Sequence, residues 1–277
     1  MVLLLLGACT SQRPETPKVE LPELGVLIES HDARVLALDS FWARASVRVE
    51  GRDAEGSKFS EQGEGHLQVE RPDHVAINLG KLGEMYFALG SNEDRYWLID
   101  VSDSSRRLIV FGSQSQATPE KAAMLGLPVH PRDIPLLLGL MPLEGRDLEA
   151  PAFNENGQVV VGIATRWGRG ELRFDPLSLD LIGTAAFDAN KALLAEAELS
   201  RHGPVADANG SGVVGRMPRK IEMRVPGFDG FVRMVLDDAR NRPINAAVFN
   251  PDRLERGFRV RERIDLDKPR VSEESSE

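Results

Sequence analysis

From Leu21 onward the hydrophobic pattern changes period twice. Between Leu21 and Ser40 the apolar residues Val26, Leu27, Val35, Leu36 and Leu38 are spaced with polar residues between them. That spacing predicts one amphipathic helix, interrupted near His31 and ending near Ser40. From Trp42 to Glu50 the period becomes two: Ala43, Ala45, Val47 and Val49 on one side, Arg44, Ser46, Arg48 and Glu50 on the other. A strand with two unlike sides belongs to a sheet with one wet face, which is ordinarily antiparallel. Phe59 to Glu70 alternates again, with Leu67 and Val69 opposite His66, Gln68 and Glu70, and Arg71-Pro72-Asp73 breaks it. Short strands follow at His74 to Leu79, Glu84 to Leu89, Arg95 to Asp100 and Arg106 to Phe111, joined by hairpin-sized connections.

The pattern changes again after Ser113. Thr118-Pro119-Glu120 is a helix start, with a hydroxyl cap, a proline in the first turn and then an acid, leading into Lys121 to Leu127. A second short helix is predicted from Asp133 through Leu140. Strands resume at Val159 to Trp167, Glu171 to Phe174, Leu181 to Asp188, Leu193 to Arg201, Lys220 to Val225 and Phe231 to Asp237. Gly-Arg-Gly at 168–170 reads as a hairpin turn, and the Gly, Asp and Asn of His202 to Gly215 as a loop. A sheet of roughly ten or more strands must curl or split. The expectation is a mainly β fold with some α: a single strongly curved antiparallel sheet, a half-open barrel, with an N-terminal helix and short lid helices in its mouth.

The N-terminus adds a second theme. Leu6-Gly7-Ala8-Cys9 follows a run of apolar residues and holds the only cysteine in the chain. Small residues before a cysteine let a peptidase reach the backbone, so the run reads as a lipobox, with Cys9 lipidated. Eight residues precede Cys9 and none is Lys or Arg, which makes 1–8 an incomplete signal peptide. On this reading 9–20 is lipidated cysteine and Pro-containing tether, 21–271 the folded domain and 272–277 an acidic tail. Stable anchoring needs more than one acyl chain, which a diacylglyceryl cysteine supplies. The net charge of −9, with Lys and Arg scattered, argues against a nucleic acid partner.

The run Gly63-Glu-Gly65-His-Leu67-Gln-Val69-Glu-Arg71-Pro72 reads GxGxLxVxRP. It resembles the same stretch of the bacterial lipoprotein-localisation family, made up of a periplasmic carrier and a lipid-anchored outer-membrane receptor. The helix before a Trp-led strand, Met217-Pro218-Arg-Lys-Ile221 and Ala247-Val-Phe249-Asn-Pro251 are also similar, over roughly Leu21 to Arg256. The resemblance implies an apolar cavity that takes acyl chains under a helical lid. It implies a lid-latching role for Arg71 and a membrane-insertion role for Leu82, the only large apolar residue of Gly80-Lys81-Leu82-Gly83. Read from the residues alone, Arg71 is the end of a strand and Leu82 an ordinary exposed side chain. The lipid anchor sides with the receptor, and Thr10 after Cys9, where an inner-membrane retention signal would carry Asp, favours the outer membrane, facing the periplasm.

Catalysis has little to stand on. His31, His66, His74, His130 and His202 are scattered without metal-ligand spacing, and no GxSxG elbow or phosphate loop is present. No enzyme activity, cofactor or metal is expected. A binding protein needs only apolar walls with few polar anchors. Candidate cavity residues are Val47, Val49, Leu67, Val69, Val75, Ile77, Met85 and Phe87 from the strands, with Leu136, Leu137 and Leu140 from the lid. The expected ligand is a lipid or acylated lipoprotein, the expected partner a periplasmic carrier protein, and the expected state a monomer. The alternative is a lipid-anchored scaffold in which the helices fill the groove and these residues form an ordinary core.

Overall fold

The computed structural model describes residues 19–52, 55–81, 84–126 and 129–268. Helix α1 (Leu24–Val35) buries Leu27, His31 and Val35, an i, i+4, i+8 stripe on one side. Six strands follow: β1 (Ser40–Arg52), β2 (Lys58–Glu70), β3 (His74–Lys81), β4 (Glu84–Ser91), β5 (Arg95–Asp100) and β6 (Leu108–Ser113). The next segment holds a 3-10 turn at Gln114–Gln116, α2 (Pro119–Ala123), a second 3-10 turn at Pro131–Asp133 and α3 (Ile134–Leu137). Then come β7 (Ala152–Phe153), β8 (Val159–Ala164), β9 (Gly168–Phe174), β10 (Leu181–Asp188), β11 (Leu193–Ser200), β12 (Gly203–Ala206), β13 (Val213–Met217), β14 (Lys220–Arg224) and β15 (Phe231–Asn241). A 3-10 turn at Ala246–Phe249, α4 (Pro251–Phe258) and β16 (Glu262–Asp265) complete the described chain.

One sheet holds all sixteen described strands, in the order β16-β6-β5-β4-β3-β2-β1-β15-β14-β11-β10-β9-β8-β7, with the β12–β13 hairpin off this path beside β15. The end strands β16 and β7 do not meet, so the described sheet is curved and unclosed. Its centre is β1, which pairs with β2 along its whole length, from Ser40↔Glu70 to Arg52↔Lys58, and with β15 on the other side. The alternation of β1 decides what faces inward: Phe41, Ala43, Ala45 and Val47 are buried. They share one core with α1, with the inner sides of β8 to β11, and with Ile134, Leu136, Leu140 and Leu143 from the segment around α3.

The sequence expectations need several corrections. Residues 202–215 are not a loop: β12 and β13 pair there from Gly203↔Met217 to Ala206↔Val213. The hairpin packs against α1 so closely that a Cβ at Gly215 would lie 2.5 Å from the Arg34 carbonyl oxygen. Gly168 and Gly170 are not in a turn but in β9, paired with Asp188 and Ala186 of β10. The two lid helices are shorter than expected. Beyond the antiparallel meander, β16 joins the edge parallel to β6. It gets there after α4, whose Leu254 and Phe258 cover Ala88, Trp97, Ile99 and Ile109 on the convex side. A parallel neighbour requires such a crossover.

Candidate functional site

The inner wall and the 114–148 segment together form the candidate site. Val47, Leu67, Val69, Val75, Leu136 and Leu140 are buried in the main core, and Val49, Ile77 and Leu137 are partly buried against it. Phe87 packs instead on a second cluster, around Leu89, Tyr96, Val110 and Leu125. Met85 is the exception at 38% exposure. A register shift at Leu79/Gly80 interrupts the β3–β4 ladder beside it, breaking the strict alternation that grouped it with Phe87. Cys9 and Leu82 lie outside the described residues.

The mouth is filled in this conformation. Ala122, Leu125, Val129, Ile134, Leu136, Leu140 and Leu143 are all buried. The space between Leu89, Tyr96, Ala122, Leu125, Val129 and Ile134 is about 20 Å³, room for a single water and far below the roughly 300 Å³ of a small ligand pocket. A larger depression of about 300 Å³ lies elsewhere, walled in part by Arg173, Glu198, Lys220 and Glu222, whose charges are unsuited to an acyl chain. The Tyr96 hydroxyl is buried without a hydrogen-bond partner among the described residues, and burial, with Asp267 nearby, pushes the phenol up to about 12.

Polar fasteners hold the 130–144 stretch of the segment at both ends. At its far end, buried Asp32 of α1 accepts hydrogen bonds from Leu143 N (2.7 Å) and Glu144 N (2.9 Å). His31 Nε2 lies 3.0 Å from the Met141 carbonyl oxygen, a bond that requires the proton on Nε2. Burial holds His31 below its ordinary value. Thr184 Oγ1 of β10 donates to Leu137 O at 3.0 Å. At the near end, Arg166 from the β8–β9 connection donates to Asp133 Oδ1 at 2.7 Å, and its backbone N–H to Oδ2 at 3.2 Å. Arg166 and Arg132 both stand 3.7 Å from Asp73, in the β2–β3 connection. Burial raises the Asp133 carboxyl while Arg166 opposes the rise. His130 meets Trp167 edge to face, with ring centroids 5.1 Å apart. Its Nδ1 accepts from Arg132 N at 3.2 Å. Burial, with Arg166 and Arg132 adding to it, pushes its pKa down to about 4. The near-end group thus ties together two strand connections from opposite halves of the sheet.

Arg71 sits elsewhere. Its guanidinium donates to Leu36 O at 2.8 Å and to Asp39 Oδ1 at 2.6 Å, and the side chain is largely covered. Both partners flank the end of α1, whereas the residues that grip the lid segment are Asp32, His31, Asp73 and Arg166. Sequence reasoning missed these. One signal was available: Asp32 is an acid beside the buried stripe of an amphipathic helix, and a buried carboxylate needs partners. Among the described residues no group of three or more His, Cys, Asp or Glu side chains could hold a metal ion, and no helix is long and apolar enough to cross a membrane.

No family model and no curated protein sequence matches the chain. Solved structures do. A LolA superfamily protein from Nitrosomonas europaea matches with a TM-score of 0.52 at 13% identity, over 83% of this chain and 99% of that one. A structure described as an outer membrane lipoprotein-sorting protein domain, from Vibrio parahaemolyticus, matches with a TM-score of 0.53 at 13% identity, over 83% and 97%. A DUF1329 family protein from Desulfovibrio piger matches with a TM-score of 0.52 at 11% identity, over 82% and 94%. The chain has the open, curved-sheet fold of these proteins.

Proposed function

We propose that this chain is a cell-envelope binding protein that takes acyl chains, of a lipid or of an acylated lipoprotein, between the inner wall and the 114–148 segment. The observation that carries the reading is how the lid segment is held. Leu136, Leu140 and Leu143 pack on the wall as core residues do, yet side-chain bonds from Asp32, Asp133 and Thr184 hold the 130–144 stretch at its ends and middle. An apolar lid with polar fasteners can swing away without unmaking the sheet. Exchange of lid for ligand conserves apolar contact. Burying a chain of about sixteen carbons yields on the order of 10 kcal/mol before ordering costs. The fold shared with a lipoprotein-sorting domain supports the same reading. In this proposal Cys9 carries the anchor to the outer membrane, a carrier protein delivers the ligand to the monomer, and Leu82 meets the membrane.

The test is native mass spectrometry of the full chain carrying Cys9→Ser, together with uptake of a fluorescent fatty acid. Co-purified or captured lipid is the expected result. A clean apo mass with no uptake would sink the proposal in favour of the second reading, a scaffold lipoprotein without ligand. One observation favours that second reading: the space between Leu89, Tyr96, Leu125 and Ile134 under the lid is about 20 Å³.

A further inference from the structure

The chain is acidic overall, at −9, but its last described turn of helix is not. Between Pro251 and Arg263 stand Arg253, Arg256, Arg259, Arg261 and Arg263, against Asp252, Glu255 and Glu262. Each of these carboxylates is already committed to an arginine. Asp252 takes Arg95 through two bonds of 3.0 and 2.7 Å, Glu255 takes Arg263 at 2.7 Å, and Glu262 takes Arg106 at 2.9 and 3.2 Å. Arg253, Arg256, Arg259 and Arg261 make no ion pair within 4 Å among the described residues, although Arg256 adds to Arg95 in lowering the Asp252 carboxyl, and all four are exposed.

The helix geometry gathers them. Leu254 and Phe258, four residues apart, turn toward Trp97 and Ile109. At about 100° per residue, Arg256 then points almost straight out from the sheet, with Arg253 one turn behind it. The helix ends at Arg259, in the left-handed conformation (φ 53°, ψ 50°) where glycine is the usual residue. An arginine there continues the row toward Arg261. Apolar side chains of this helix face inward, so the surface offers concentrated positive charge and no central apolar anchor. Specific protein interfaces are built around such anchors; a headgroup layer asks only for charge.

We propose that the outer side of α4 and the turn after it form a docking surface for an anionic lipid bilayer. Docked by its convex side, the protein holds the lid segment away from the bilayer and open to solvent. This surface is independent of the acyl-binding reading, and ligand uptake is a separate readout from it.

The test uses the full chain with Cys9→Ser, which removes any acyl anchor, in flotation with vesicles. One set is equal parts phosphatidylglycerol and phosphatidylcholine, the other phosphatidylcholine alone. Binding is expected to the first set only and to fall as salt is added. At roughly fivefold per arginine, the combined Arg→Gln variant at 253, 256, 259 and 261 is expected to bind several-hundredfold more weakly, and the combined Arg→Lys variant to retain binding. Equal partition to both sets, or an unchanged Gln variant, would overturn the proposal. So would loss of binding in the Lys variant, which would mark recognition of the guanidinium's planar geometry rather than of charge. If the Gln variant melts early, Arg256→Glu alone, at the outward position, should still weaken binding; unchanged binding would overturn the proposal equally.

Discussion

Asp32 is where residue chemistry bears most on the lid. Its two backbone bonds, to Leu143 N and Glu144 N, are made by one buried carboxylate. Asp32→Ala leaves both amides without that acceptor, at about 2–4 kcal/mol in all. The expected outcome is a lower urea midpoint together with faster hydrogen exchange at 143 and 144. Arg71 is argued differently. Its bonds go to Leu36 and to Asp39, and the Asp39 side chain is 90% exposed, so most of its value lies in the carbonyl bond. Arg71→Leu is expected to cost about 1 kcal/mol and to speed exchange at the end of α1, with the lid amides unchanged. Exchange that rises in 130–144 instead would support the lid-latching role that the resemblance implies for Arg71. Leu82→Glu is expected to impair delivery to membranes while ligand capture persists; equal loss of both would remove the role proposed for it.

At the scale of elements, the near-end fastener carries a pH dependence. An unfolded histidine titrates near 6.5, whereas folded His130 is pushed down to about 4. Above pH 6.5 neither state binds the proton and this contribution is complete. As pH falls from 6.5 toward 4 the unfolded chain takes up a proton that the folded chain refuses, so stability falls. His31, also held low by burial, acts in the same direction. Asp133 acts oppositely: its raised carboxyl contributes most in acid, and that contribution is lost as pH rises through its folded value. After allowance for solvent screening, His130 is worth about 1–2 kcal/mol. Urea titrations across this range should therefore slope in the parent chain and flatten in His130→Asn. The elements themselves were unevenly legible. Period-two alternation marked β1 and β2 because each buries mainly one side, whereas β4 to β6 are covered on both faces, with Tyr96 and Trp97 each fully buried. The β12–β13 hairpin was hidden because Pro204 and the Gly, Asp and Asn of its turn read as loop. Segment α4 and β16 was hidden because few apolar residues, Leu254, Phe258 and Ile264 among them, are diluted by arginines. For the site, alternation placed Val47, Leu67 and Val75 on the inner wall. The filling of the mouth by Leu136 and Leu140 was not readable, since close packing depends on tertiary fit rather than on period.

At the scale of the whole molecule, one core runs from α1 through the lid to β11 and back to β15. That continuity supports treating 21–271 as one domain, and calorimetry is expected to give a single transition; two separated transitions would divide it. Trp97, fully buried on the convex side, should cost about 3–5 kcal/mol on replacement by alanine and lower that one transition without splitting it.

The covering of Trp97 has a consequence for biogenesis. Strands β4 to β6 leave the ribosome, or an export channel, long before Leu254, Phe258 and β16 do. Until those late residues arrive, the greasy back of the early strands has no roof and its outermost backbone no neighbour. A nascent or prematurely terminated chain is therefore expected to be stickier than the finished protein, and a chain truncated before Leu254 to aggregate more readily.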